Sequence, residues 1–179
     1  MPRIIFREEV RVSPWVTMIS KQVEFEEGSQ SEEYHCLGQA DYVAILAKTP
    51  DGRIPLVRQY RPAVESYTWE LPSGLVEMGE DPEATCSREL QEETGLLSSR
   101  VVKLGSFYPD TGRLSNLLHA FYVTALDPAE TFVPERGMEV DFVTIEELRT
   151  KALAGEFRHQ LHLGVLAMAA FKGFLSEQS

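Results

Sequence analysis

Between Gly74 and Leu96 the chain reads GLVEMGEDPEATCSRELQEETGL, and this stretch restricts the fold more than any other. Asp81 can cap a helix with its short acceptor side chain, Pro82 fits the first helical position, and Gly95 suits a left-handed close. The punctuation therefore predicts a helix bounded by Asp81 and Gly95. On it Glu89, Glu92 and Glu93 stand three and four residues apart, with Glu80 and Glu83 just upstream. Like charges at that spacing cost a helix roughly 0.2–0.5 kcal/mol per pair. A dication would neutralise them: hard oxygen ligands select Mg²⁺ or Mn²⁺, and Mg²⁺ commonly completes its shell with water and substrate phosphates. The competing reading is a solvated acidic face with no ligand.

Around this helix the pattern is mostly strand. IIFREEVRV, WVTMISKQVEFEE and EYHCLGQ alternate and are rich in β-formers, predicting short antiparallel strands in the first forty residues. YVAILAKTPDGRIPLVRQYRP reads as a hairpin about Thr49-Pro50-Asp51-Gly52. TWELPSG reads as a short strand ending in a turn; VVKLGSFY, LLHAFYVTAL and EVDFVTI read as further strands. Thr144 opens a second helix that Gly155 stops, and an amphipathic helix follows near HQLHLGVLAMAAFKGF. The expected architecture is α/β, a mixed sheet between helices preceded by a small β element.

Charge narrows the partners. With 17 basic and 28 acidic residues the net charge is −11, which argues against the basic footprint of a nucleic-acid binder. A small anionic substrate remains compatible if metal ions carry its charge. MPRIIFREEV is charged too early and too evenly for a secretory signal, and the apolar run LHLGVLAMAAFKGFL is short for a membrane span. Cys36 and Cys86 are far apart and match no metal spacing, so reduced thiols in a cytoplasmic protein are expected.

The spacing is more specific than the residue types. Gly74, five residues, Glu80, seven residues, then Arg88-Glu89-Leu90-Gln91-Glu92-Glu93-Thr94-Gly95-Leu96 resembles the Nudix box without a departure. LVRQYRPAVESYTWELPSGLVEMGE and YPDTGRLSN are similar to the ADP-ribose and nucleotide-sugar pyrophosphatase branch of that family. The resemblance implies a Nudix-type α/β/α sandwich, with residues 1–40 as a dimerising β element and 41–179 as the hydrolase domain. It also implies metal ligation by Glu89, Glu92, Glu93 and the carbonyl of Ser73, with Mg²⁺ as cofactor and Mn²⁺ as a substitute. Arg88 would orient the carboxylates, Glu80 would be structural, and Gly74 would let the loop turn close beside the metals.

In the same branch, Arg61 of QYRP reaches phosphates or base, Glu70 of ELPSG lies near the site, and the loop from Asp110 to Asn116, including Ser115, borders the distal sugar. Trp15 sits where an aromatic often stacks on adenine, against the alternative of a packed strand residue; Tyr34 is a weaker candidate. The general base is expected from a loop ahead of the penultimate helix. In VPERGMEV an ungapped reading puts Arg136 there, so Glu135 is preferred, Glu139 held in reserve, and Glu92 is a third choice.

The activity implied is metal-dependent hydrolysis of the pyrophosphate of ADP-ribose or a related nucleoside diphosphate sugar, giving a nucleoside monophosphate and a sugar phosphate. GDP-mannose or UDP-glucose are alternatives within the class. A non-catalytic nucleotide-sugar sensor is a second class, but it would be expected to lose a box glutamate, and none is lost. The expected partners are a small nucleotide-sugar substrate and a second copy of the chain, because the N-terminal strands have little apolar mass of their own to bury.

Overall fold

The computed structural model describes residues 1–127 and 132–175. Chain contacts divide it into two compact units, Met1–Asp41 with Tyr108–Leu117, and Tyr42–Phe107 with Leu118–Ser179.

The first unit is an antiparallel meander of β1 (Arg3–Arg11), β2 (Thr17–Glu24) and β3 (Glu32–Gly38). Its core is thin: β1 is exposed along all nine residues, and β2 buries Ile19. The segment Tyr108–Leu117 joins it as a backbone strap on β3. Leu37 N–H donates to the Arg113 carbonyl at 2.7 Å, and Ser115 N–H donates back to the Leu37 carbonyl at 3.1 Å. Asn116 accepts from Gln39 through Oδ1.

The second unit is built on β4 (Tyr42–Lys48) and β9 (Leu118–Ala125), which run parallel in register from Tyr42–Leu118 to Lys48–Thr124. Parallel strands are covered on both faces, so their sequences become nearly continuous apolar runs, as YVAILAK is. β7 (Ser73–Leu75) and β8 (Ser98–Phe107) complete this sheet in the order β7-β4-β9-β8. A second sheet places β5 (Ile54–Arg61) between β10 (Glu139–Val143) and β6 (Ser66–Glu70). TWELPSG is thus two strands in two sheets, because Pro72 cannot continue a ladder as a donor; its carbonyl instead accepts from Ile45 N–H at 2.9 Å.

Alternate residues of β4 face opposite layers. Val43, Ile45 and Ala47 pack with Cys86 and Leu90 of α1 (Pro82–Thr94), while Ala44 and Leu46 pack with Leu148 of α2 (Ile145–Leu153) and Val165 and Ala169 of α3 (Gln160–Phe171). This is the α/β/α sandwich that the resemblance implies. Leu90 is fully buried, and truncating such a leucine to alanine costs about 2–5 kcal/mol. Burial pushes the Cys86 thiol up to about 12, leaving it a packing residue, and both cysteines are free.

Local signals set the helix ends. Asp81 accepts from Glu83 N–H at 3.1 Å, and Gly95 closes α1 at φ 74°. A Cβ on Gly95 would lie 2.4 Å from the Phe132 ring, so glycine is required there for space as well as for φ. Thr144 and Glu147 form a reciprocal capping box on α2. The Arg58 guanidinium and the Lys151 ammonium both approach the ring of Trp69 of β6, 5.9 and 5.2 Å from its centre. None of the described helices is long and apolar enough to cross a membrane.

Candidate active site

Arg88 organises the acidic helix. Its Nε and Nη2 donate to the two oxygens of Glu80 at 3.2 and 3.1 Å, and its Nη1 donates to Glu89 at 2.8 Å and Glu92 at 3.0 Å. One planar fork therefore supplies the compensating charge for three carboxylates. Arg88 holds Glu80 down at about 2, so Glu80 is a fixed anion that braces the arginine from outside the helix.

The three helix glutamates differ in exposure. The Glu92 side chain is 54% exposed, while Glu89 is 14% exposed and Glu93 is buried. Burial pushes Glu93 up to about 8, against the pull of the Ser73 N–H, which donates to its Oε2 at 2.9 Å. Burial also raises Glu89. Ser73 and Gly74 are held beside the helix by β7, whose register pairs them with Ala44 and Val43 of β4.

Gly74 is not in a left-handed conformation, and its need for glycine is one of close approach. A Cβ there would sit 1.9 Å from Glu89 Cδ and 2.1 Å from Oε1. The glycine is a cradle for that carboxylate. Two buried or half-buried carboxylates raised by desolvation, a third beside them, and a peptide loop against them form a hard-oxygen donor set. Such a set is costly when charged and alone, and it fits a divalent cation.

Next to this loop a cavity of about 760 Å³ is lined by Arg61, Glu70, Ser73, Gly74, His159 and His162, among others. Arg61 at the end of β5 makes a two-pronged pair with Glu70 of β6, Nε to Oε1 at 2.9 Å and Nη2 to Oε2 at 2.6 Å. Thr68 donates to the same carboxylate at 2.5 Å. Burial alone would raise Glu70, but Arg61 and Thr68 hold it below the usual carboxylate range.

Sequence reasoning missed the two histidines. His162 is buried, its Nδ1 accepts from Leu71 N–H at 3.0 Å, and burial pushes it down to about 3. His159 is the residue that precedes α3, and its ring stacks on His162 at 3.8 Å and 14°. The available signal was a pair at i and i+3 in HQLH, at the head of a helix. Glu70, His159 and His162 bring ligand atoms within 4.8 Å of one another. They are nevertheless not a metal centre: parallel stacked rings do not converge their lone pairs, His162 Nδ1 is already engaged, and Arg61 occupies Glu70.

Other sequence candidates lie elsewhere. Glu139 pairs through both oxygens with Arg58 at 3.0 and 3.1 Å, its register partner across β10 and β5. Glu135 is exposed in the turn before β10, its carbonyl accepting from Met138 N–H. Neither lines the cavity. Trp15, Asp110 and Ser115 belong to the first unit. Trp15 is 72% exposed in the β1–β2 turn and is not a packed strand residue. Asp110 accepts from Gly112 N–H, and the Ser115 hydroxyl donates to the Leu37 carbonyl.

A family model described as the NUDIX domain matches residues 38–162. The chain belongs to the Nudix family. This Nudix chain is 30% identical over 148 residues to an ADP-ribose pyrophosphatase of Bacillus subtilis (strain 168), covering 81% of the chain and 80% of that protein. It is 35% identical over 133 residues to an ADP-ribose pyrophosphatase of Mycobacterium tuberculosis, covering 72% of the chain and 64% of that protein. A solved structure, an ADP compounds hydrolase, superposes with a TM-score of 0.80 over 96% of both chains at 21% identity, a likeness of fold. The Nudix chain is therefore a pyrophosphohydrolase of the ADP-ribose pyrophosphatase branch.

Proposed function

We propose that this Nudix hydrolase cleaves the diphosphate of ADP-ribose or a related nucleoside diphosphate sugar, releasing a nucleoside monophosphate and a sugar phosphate. The observation that carries the reading is the cavity in which Arg61, Glu70 and the Ser73–Gly74 loop stand beside the carboxylates of α1. Glu89, Glu92, Glu93 and the Ser73 carbonyl would hold Mg²⁺, or Mn²⁺ in its place. Bound there, a dication would offset the charge of the diphosphate and lower the cost of attack by water.

The chain's own residues do the positioning. Arg88 fixes Glu89 and Glu92, the cradle at Gly74 fixes Glu89 from the other side, and Arg61 supplies donors to a phosphate. Glu135 is the preferred general base. Glu139 has its charge engaged by Arg58, which favours Glu135 over it, and Glu92 remains the third choice. Trp15, Asp110 and Ser115 are proposed substrate contacts on the family resemblance, with the exposed indole available for stacking.

A homodimer completes the reading. Ile4, Phe6, Val10 and Trp15 are exposed apolar residues on and beside a strand with no buried position, and a second copy would cover them. Light scattering that gives a monomer at micromolar concentration removes that part.

The test is a panel of ADP-ribose, GDP-mannose, UDP-glucose, diadenosine polyphosphates and deoxynucleoside triphosphates, with Mg²⁺ and with chelator, products identified by mass. AMP and ribose 5-phosphate from ADP-ribose, formed only with the metal, are expected. Preference for another sugar nucleotide redirects the substrate, and cleavage of none overturns the reading.

A further inference from the structure

We propose that His159 is a positioning residue that takes over the charge of Glu70 when Arg61 turns toward an anionic ligand in the cavity, so that ligand binding draws a proton from solvent. The inference rests on the reading of this cavity as the diphosphate site.

The Glu70 side chain is 1% exposed, and its partner Arg61 is 40% exposed at the cavity wall. Arg61 spends Nε and Nη2 on Glu70. A phosphate competes for that same planar edge, because it takes the same two-pronged contact. Once Arg61 leaves, Glu70 keeps, among the described residues, the neutral hydroxyl of Thr68 as its hydrogen-bond donor, and a buried carboxylate without a counter-charge is strongly disfavoured.

Of the titratable groups facing this point, one lies beside Glu70 and can respond to it. His162 is buried, with Nδ1 committed to Leu71 N–H. Tyr42, on the cavity wall from β4, is pushed up to about 12 by burial and stays neutral. Arg158 carries a fixed charge and donates through Nε to the Gly155 carbonyl. Glu93 of α1 also feels Arg61 and is pushed up to about 8 by burial, so a proton taken up there would persist in His159→Gln.

His159 remains. A ring nitrogen of it lies within 4.8 Å of a Glu70 oxygen, its Nδ1 is buried with no hydrogen-bond partner among the described residues, and its ring is held in place by the stack on His162. In the resting arrangement burial keeps His159 below its ordinary value, Glu70 pulls it up, and Arg61 pushes it down. Transfer of Arg61 to the ligand removes the last influence and unmasks the second. The proton comes from bulk buffer, binds one imidazole nitrogen, and returns to buffer when Arg61 re-pairs after the products leave.

The experiment has two arms. In ligand-free protein carrying isotope-labelled histidine, the His159 imidazole is titrated by NMR in the wild type and in Arg61→Met. Proton affinity at least about tenfold higher in the variant, one unit of pKa, is expected, and it should collapse when Glu70→Gln is added. An unchanged titration overturns the proposal. The second arm needs no Arg61 variant to fold: calorimetry of ADP-ribose and of inorganic pyrophosphate binding to the wild type, in chelator, in two buffers of different ionisation heat. Uptake of roughly half a proton or more per site near neutral pH is expected, and it should vanish in His159→Gln. Binding without uptake overturns the proposal. Failure to bind or cleave ADP-ribose, with pyrophosphate still drawing its proton, refutes the substrate while leaving the role of His159 standing.

Discussion

Replacing Gly74 by alanine puts one carbon where the Glu89 carboxyl group already is. The new Cβ would lie 1.9 Å from Cδ and 2.1 and 2.3 Å from the two oxygens. Non-bonded carbons need about 3.5 Å, so the carboxylate must retreat by about 1.6 Å. It cannot do so without stretching the 2.8 Å bond from Arg88 Nη1, which also steadies Glu92. Misplacing a positioned group by about 1 Å is enough for a hundredfold loss, so kcat/KM should fall at least about a hundredfold, or about 2.7 kcal/mol. The fold should survive, because the atoms the new carbon meets are the far end of a flexible side chain and not backbone. The assay is ADP-ribose hydrolysis in Mg²⁺, with Mn²⁺ binding followed by electron paramagnetic resonance and folding by thermal melt. A folded Gly74→Ala protein with wild-type turnover would refute the cradle and the role of Glu89 with it.

Gly164→Ala is the matched control: nothing lies within 4 Å of its Cβ on α3, so it should stabilise the protein by about 0.5–1 kcal/mol and leave turnover unchanged. Glu93→Gln keeps shape and removes charge, and at least about a hundredfold loss in kcat is expected; retained activity would place the metal elsewhere. Of Glu135→Gln and Glu139→Gln, only the first should lower kcat with KM preserved, and the reverse result would reassign the base. His162 has its folded value lowered to about 3 by burial, so the stability it allows is present above its ordinary 6.5 and is lost as pH falls toward 3. His162→Asn, which keeps an acceptor for Leu71 N–H, should flatten the acid limb of a urea-unfolding profile; an unchanged limb would mean that another group sets it.

What the sequence made legible was local or tied to spacing. Asp81, Pro82 and Gly95 bound α1 as predicted because caps act within one turn, and β4 was readable from its continuous apolar run. The pairing of Arg58 with Glu139, 81 residues apart, depends on which strand lies beside which, and alternation carries no address. TWELPSG was read as one strand because periodicity does not tell which sheet each half joins. His159 and His162 went unnoticed for a related reason: their meaning comes from Leu71 and Glu70 on another element, and an i,i+3 pair of histidines alone is weak evidence. The carboxylates of α1 were assigned from the box, but their unequal burial was not, since it depends on the β7 loop.

The chain has two indoles, and the fold separates them by environment. Trp15 stands in the open on the first unit, while Trp69 has two cations close to its ring on the second. Their emission should therefore differ in colour and in access to a soluble quencher. With either one changed to phenylalanine, ordinary fluorescence becomes a separate gauge for each unit, and the order in which they come apart under denaturant can be followed without attaching a label.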